Sequence, residues 1–391
     1  MPTTLTHCTT PTATLYMALE LAAHEWLLTF AAGPGSARRH VTIPARAGAR
    51  LLAEVQRAKV KLGLPADAPV LSCYEAGRDG FWVHHWLTRQ GITNAVVDPA
   101  SIEVNRRLRR AKTDRLDGAG LVRLLARWHG GERDAWKVCT VPPTLAEDLR
   151  QPIRERLELV EERTRLVNRI RGLLAGVGAV VDGPLTAATD LDALRQWDGQ
   201  ALPPLLRARL ARDRQRLALL ERQVTDLENA ERRAVRDDAT PQVEQARRLL
   251  GVKGVGPTST WLLVRELFGW REHLTPKQTG ALAGLCPTPY TSGDSAREQG
   301  ISKAGSKRVR WALVELAWGW LHHQPHSALS RWYQRKYGAG GARHRKVGIV
   351  ALARKLLVAL LRLALTGAVP EGADVRDWYT KVTGRPRATA T

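Results

Sequence analysis

Leu15-Tyr16-Met17-Ala18-Leu19-Glu20 is an apolar run that ends on a carboxylate. A short run of this kind reads as a strand buried in a core. Val70-Leu71-Ser72-Cys73-Tyr74-Glu75 repeats the pattern, again closing on an acid. Strand ends are where α/β sheets usually place their chemistry. Working outward, Trp26-Leu27-Leu28-Thr29-Phe30 is expected to pair with the first strand and Arg39 to Ile43 to make a third. Ala95-Val96-Val97-Asp98 follows the helix-like Gly80 to Arg89 as a later strand. This alternation, running to about residue 140, predicts an α/β layer fold.

Pro99 opens a helical stretch that includes Lys112-Thr113-Asp114-Arg115-Leu116-Asp117. Residues three apart on a helix share a face, so Asp114 and Asp117 project together. Glu20, Glu75 and this pair would meet at one edge of the sheet. Carboxylates so placed bind Mg²⁺ or Mn²⁺ through oxygen, and two such ions activate an attacking oxygen while stabilising the leaving one. Taken singly, Glu20 or Glu75 reads as an ordinary surface acid. Arg106, Arg107, Arg109, Arg110 and Lys112 just before the pair would offset carboxylate repulsion and hold a phosphodiester.

The chain of 391 residues carries 60 Lys/Arg against 38 Asp/Glu, a net charge of +22 and a pI near 10.7. The excess is spread through folded-looking sequence, which points to a phosphate-bearing partner rather than a charged tail. A hydrophobic content of 44% is ample for two or three real cores and excludes disorder as the main state. Cys8, Cys73, Cys139 and Cys286 form no CxxC pair, so neither a zinc site nor a disulfide framework is signalled. Leu356 to Leu365, interrupted by Arg362, is too short to span a bilayer. A soluble, cytoplasmic protein with no membrane partner is the expectation.

Three segments are expected. Residues 1–143 form the α/β domain with the acids, 144–240 a helical segment, and 241–391 a mostly helical C-terminal domain. In the second, Ile153, Leu157, Val160, Val167 and Leu174 keep a 4-3 spacing, as do Leu206, Leu210, Leu217, Leu220, Val224 and Leu227 after a Gly/Pro-rich break. That spacing suits a dimerising coiled coil or an arm along nucleic acid; a plain antiparallel pair within one subunit fits equally. The third opens on Leu249-Leu250-Gly251-Val252-Lys253-Gly254-Val255-Gly256-Pro257, a glycine turn before the amphipathic Trp261 to Phe268. Such a helix-hairpin-helix turn can hold a phosphate on its amides, although a plain helix-helix turn has the same glycines. From Arg297 to Thr391 there are 18 Lys/Arg and 5 Asp/Glu. Lys253, Lys303, Lys307, Arg308 and Arg310 are therefore the candidate nucleic-acid-binding residues, with His344-Arg345-Lys346 following.

Taken together, Tyr74-Glu75-Ala76-Gly77, Asp98-Pro99, Lys112 to Asp117, Gly254-Val255-Gly256-Pro257, Gly284-Leu285-Cys286-Pro287, Ser292-Gly293 and Gly300-Ile301-Ser302-Lys303-Ala304-Gly305 resemble, in order, the DEDD transposases of bridge-RNA-guided insertion sequences of the 110 type. The resemblance covers nearly the whole chain. It implies an RNase H-like (RuvC-like) N-terminal domain, central coiled-coil helices and a helical C-terminal transposase domain. It also implies excision and insertion of a mobile element, guided by a structured bridge RNA, with DNA as substrate and a divalent metal as cofactor. A homo-oligomer, dimeric and then tetrameric in the synaptic complex, is part of the same expectation. Carried over, the quartet is Glu20, Glu75, Asp114 and Asp117, and the nucleophilic serine is Ser292. The family's first acid is usually Asp; here it is Glu20, one methylene longer, with Glu25 as a weaker substitute.

Ser292 lies in what reads as the loop Thr291-Ser292-Gly293-Asp294-Ser295, before a basic helix. A Ser-Gly there is ordinarily a turn, and a serine attacks only when its alkoxide is stabilised, help that the quartet could give if the domains meet. Tyr290, two residues earlier, is the rival nucleophile, and Asp294 and Arg297 could orient the hydroxyl or the phosphate. Two other functions stay open: a structure-selective endonuclease of the Holliday-junction type using the acids alone, and a catalytically silent nucleic-acid-binding protein.

Overall fold

The computed structural model describes residues 13–102, 114–271, 274–292 and 295–379, with side chains throughout except at 114–116, 290–292 and 295–299. The chain divides into two compact units, residues 1–142 and 143–391.

The first unit is built on a five-stranded sheet in the order β3-β2-β1-β4-β5. Strands β1 (Leu15–Leu21), β2 (Glu25–Ala31) and β3 (Arg38–Pro44) form an antiparallel meander, while β4 (Val70–Glu75) and β5 (Thr93–Val97) add in parallel to β1. Parallel pairs need crossovers, and helices supply them: α1 (Gly48–Lys61) precedes β4 and α2 (Trp82–Arg89) precedes β5. The runs are apolar on both faces because both are covered. Leu15, Met17, Leu19 and Tyr74 face α1 and α2, packing on Leu51, Val55, Val83 and Leu87. Tyr16, Ala18, Leu71, Cys73 and Val97 face the other way, onto Leu121, Val122 and Leu125 of α3 (Asp114–His129).

The second unit is helical apart from one hairpin. After the short α4 (Thr144–Asp148), the long helices α5 (Gln151–Ala175) and α6 (Pro204–Asp237) pair in antiparallel fashion, fixed by Arg156–Glu228, Arg163–Glu221 and Arg169–Asp213. Their buried positions depart from the expected 4-3 spacing. On α5, Leu159, Leu166 and Ile170 are buried, whereas Val160 is exposed and Leu157 and Val167 are only partly covered; on α6 the carboxylates Asp213 and Glu231 sit among the buried positions. The reason is that α5 serves two environments. Ile153 joins the main core, while Leu166, Ile170 and Leu174 form a separate core with Leu185, Leu191 and Leu202 from the connection between the helices.

The remaining helices, α7 (Pro241–Leu250), α8 (Pro257–Leu263, continued by a π-turn over Val264–Phe268), α9 (Pro276–Leu282), α10 (Lys307–His323), α11 (Ala328–Tyr333, continued by a π-turn over Gln334–Gly338) and α12 (Ala342–Thr366), share the large core. Leu352, Leu356, Leu360 and Leu363 of α12 are fully covered there. Among the described residues no helix is long and apolar enough to cross a membrane.

Glu231 is 4% exposed, and neither carboxylate oxygen has a hydrogen-bond partner. Burial, only partly countered by Arg265 and Arg156, pushes its carboxyl up to about 7. A folded-state value above the unfolded one means the folded form holds the proton more tightly. The associated stability is present in full below the ordinary carboxyl range and is lost as pH rises through about 7, by roughly 3 kcal/mol. Glu231→Gln is accordingly expected to raise the urea midpoint at about pH 8 and leave it little changed at about pH 5. Parallel pH profiles for the two proteins would refute this.

Candidate active site

Two of the four sequence-selected acids, Glu20 and Glu75, are brought to one edge of the sheet by its register, and the other two, Asp114 and Asp117, lie in the first turn of α3. Ala18 pairs with Cys73 and Leu19 with Tyr74, so Glu20 and Glu75 follow one step later on neighbouring parallel strands, about 5 Å apart in the backbone. Both share the α3 face, two residues beyond Ala18 and Cys73 respectively. Glu20 is half-buried and Glu75 exposed. The thiol of Cys73 between the strands is pushed well above the ordinary range, first by burial and then by the negative charges of Glu20 and Glu75.

Helix α3 runs against β1. Its last residue, His129, is hydrogen-bonded to the Tyr16 hydroxyl at 2.9 Å; the Leu121 carbonyl lies 4.0 Å from the Cys73 sulfur; and Gly118 rests on Thr29, where a Cβ would come within 2.5 Å of the hydroxyl oxygen. Thr29 is the register partner of Ala18. Moving from 129 to 118 therefore travels from Tyr16 towards Glu20, and the first turn, with Asp114 and Asp117, arrives at the carboxyl edge of β1 and β4. Gly118 is what allows this close docking, a feature not visible in the sequence. Asp117 is half-buried; the side chain of Asp114 and all of Arg106 to Lys112 lie outside what is described.

Asp98, at the end of β5, shares the edge, but its carboxylate accepts the Ala100 amide at 3.0 Å and caps a short turn. Glu25 opens β2, exposed and two register positions beyond the partner of Glu20. Among the described residues no three His, Cys, Asp or Glu side chains already stand close enough to hold a metal. The donors at the edge are nonetheless all carboxylate oxygens, the type that Mg²⁺ and Mn²⁺ prefer.

In the second unit, the expected loop around Ser292 is a β-hairpin. Ser292 ends β6 (Pro287–Ser292) and pairs with Ser295, the first residue of β7 (Ser295–Ile301); Tyr290 pairs with Arg297. Gly293 and Asp294 lie outside the described residues. Turn-forming composition concealed the strands, since Pro287 and Pro289 argue against a ladder and are tolerated only where both edges are free. The two glycine motifs close its base. Ser302 N–H donates to the Cys286 carbonyl at 2.8 Å and Lys303 N–H to that of Gly284 at 3.2 Å. Gly284 and Gly305 both have left-handed φ, and a Cβ on Gly305 would fall within 2.3 Å of the Leu282 carbonyl.

The candidate phosphate-binding cations differ in their present engagements. Arg310 donates to the carbonyls of Ala283 (3.2 Å) and Lys303 (3.1 Å), holding that hairpin base together. Arg308 pairs with Glu158 at 3.0 Å, both well exposed. Lys307 is exposed at the start of α10. Lys253 lies 3.9 Å from Asp374, its N–H donating to the Asp374 carbonyl and its own carbonyl accepting from Gln324. In that turn Gly251 makes room for the ring of Tyr379 and Gly254, with left-handed φ, for His323, so packing accounts for both glycines.

Comparison with known proteins bears on both units. Residues 45–178 match the model of DEDD transposases of the IS110 type, and residues 246–332 match that of the transposase IS116/IS110/IS902 family. The first match spans Glu75, Asp114 and Asp117 and the second spans Ser292; Glu20 lies outside both. A Sinorhizobium fredii protein named "Putative transposase y4rJ" is 41% identical over 93% of this chain and 94% of its own length. The transposase for insertion sequence element IS1328 of Yersinia enterocolitica is 29% identical over 52% of this chain and 58% of its own. A Pseudomonas aeruginosa protein named "Probable family 20 transposase" is 32% identical over 52% of this chain and 59% of its own. With a relative so similar along almost its entire length, and with both units matched, the chain belongs to the IS116/IS110/IS902 family of transposases.

Proposed function

We propose that this transposase excises and inserts its element under the guidance of a structured bridge RNA, cutting and rejoining DNA through a serine-linked intermediate. The observation that carries the catalytic part is the convergence of Glu20, Glu75 and the start of α3 at one sheet edge. The strand order β3-β2-β1-β4-β5, with the first three antiparallel, supports an RNase H-like domain. Glu20, Glu75, Asp114 and Asp117 would hold a divalent cation, which when bound supplies charge neutralisation at the phosphate and lowers the cost of forming an oxygen nucleophile. Glu20 fills the place of the usual Asp, its extra methylene reaching further from the strand.

Ser292 supplies the attacking hydroxyl. Its oxygen bonds to phosphorus as the DNA 3′ or 5′ oxygen leaves with the hydroxyl proton, and the reverse attack by a DNA hydroxyl rejoins the strand. Lys303, Lys307 and Arg308 hold backbone phosphates, positioning rather than reading sequence. The α5–α6 hairpin serves as the contact between copies in a dimer, and in a tetramer on paired element ends.

Recognition of the target then belongs to the RNA. The test is reconstitution with Mg²⁺, element-end DNA and the non-coding RNA transcribed beside the gene. Cutting should require all three, and altering the RNA loops should redirect it to matching DNA. Equal cutting without the RNA would remove the guide from the proposal, and cutting confined to four-way junctions would favour a hydrolytic resolving nuclease.

A further inference from the structure

Helix α12 carries a stripe that the reading above leaves unused. Arg343, Lys346, Val347, Val350, Ala351, Arg354, Lys355 and Val358 follow the three-and-four spacing of one helical face. They form one wall of a cleft of about 1380 Å³ whose other sides come from α9, the π-turn after α11 and the base of the β6–β7 hairpin. Six cations line it, Lys277, Lys336, Arg343, Lys346, Arg354 and Lys355, with no carboxylate among the described lining residues. The floor is apolar, including Leu285, Ile301, Val350 and Val358, with the half-buried Trp332 beside it.

Among the described residues these cations are not spent on carboxylates. On α5, Arg154, Arg156, Arg163 and Arg169 are each paired with a carboxylate. Among the described residues none of the six cleft cations makes such a pair, and the one specific engagement of Lys355 is with the Trp332 ring, its Nζ 4.7 Å from the centroid. Gly348 is what brings α12 this close, since a Cβ there would enter the ring of Tyr337. The π-turn that presents Lys336 and Tyr337 is a distortion that recurs at functional sites.

Charge and floor together select the occupant. A DNA duplex offers phosphates but keeps its base faces stacked inside, so an apolar floor beneath it gains nothing. Unpaired nucleotides offer both phosphates for the rim and base faces for the ring and floor. A ribose 2′-hydroxyl turned towards the apolar floor would be desolvated without a partner there, which favours deoxyribose over ribose. We propose that this cleft binds a few nucleotides of unpaired DNA next to the strand that the hairpin acts upon. The location relative to the cut strand rests on the function proposed above; the binding itself does not.

The test is anisotropy of a labelled short oligothymidylate, an oligouridylate of the same length and a blunt DNA duplex, each with the full chain and excess chelator so that no cutting intervenes. Trp332→Ala should weaken oligothymidylate binding about tenfold and leave the duplex unchanged, with Trp332→Phe largely restoring it. The exposed pair Arg343→Gln and Lys346→Gln, which threatens no core, should reduce the salt slope for oligothymidylate by about 0.7 per charge. If both sets leave oligothymidylate binding intact, the inference is wrong and the cleft is left for an acidic protein segment. If duplex binding falls equally, it is also wrong, the cations then being general backbone contacts. If oligouridylate binds as tightly and suffers the same losses, the DNA assignment is overturned. Loss of cutting by the acid-site variants with oligothymidylate binding unchanged would leave this inference standing, and the reverse would leave the catalytic reading standing.

Discussion

Asp117→Asn should eliminate Mg²⁺-dependent strand cleavage while the protein still binds element-end DNA. Asp117 sits in the first turn of α3, which docks on Thr29 with the turn directed at Glu20 and Glu75. Removing one negative ligand from a carboxylate set costs several kcal/mol of transition-state stabilisation, on the order of a thousandfold in rate. Asp114→Asn and Glu75→Gln should behave alike. An acid at a helix start also favours the helix dipole, and Asn keeps much of the capping ability. Loss of cleavage with an unchanged melting profile would therefore isolate the catalytic role, whereas normal cleavage in any of the three would remove that residue from the site. At the remaining strand end, Glu20→Gln should be inactive and Glu20→Asp active; an active Glu20→Gln would transfer the role to Glu25.

Ser292→Ala should bind nucleic acid normally and form no covalent protein–DNA adduct, a loss measured as disappearance of the slow-migrating species on a denaturing gel. An attacking hydroxyl has no substitute in a methyl group, so the effect is all-or-none on the covalent step, and Ser292→Cys should retain slow attack. Tyr290 stands two positions earlier on β6 and is the control. Should Ser292→Ala still give the adduct while Tyr290→Phe does not, the nucleophile is the phenol.

Strands β1, β2, β4 and β5 were legible because each holds a short apolar run, and the two runs closing on Glu20 and Glu75 already implied a shared edge. The sequence alone did not reveal that α3 runs against β1, since that direction depends on Tyr16 meeting His129 and on a glycine at 118. Heptad reading caught Ile153 and Leu174 of α5 but took in the exposed Val160 and missed Leu159, Leu166 and Ile170, because a helix that contributes to two cores does not keep one seam. The Ser292 hairpin read as a loop because two prolines and a Ser-Gly turn dominate its composition. The α12 stripe was obscured for a different reason: apolar residues lie on both sides of that helix, so its cations look dispersed until the buried face is known.

The clasp formed by Gly284 and Gly305 beneath the β6–β7 hairpin has a consequence for remodelling. Because the strands are anchored from below, any residue inserted within β6 displaces everything towards the tip, and side chains alternate sides along a strand. Lengthening β6 and β7 by an even number would carry Ser292 outward on the same side, whereas an odd number would turn it over. The hairpin thus acts as a ruler with a parity, graduated in steps of two residues, on which the reach of Ser292 can be varied without disturbing the helices that carry it.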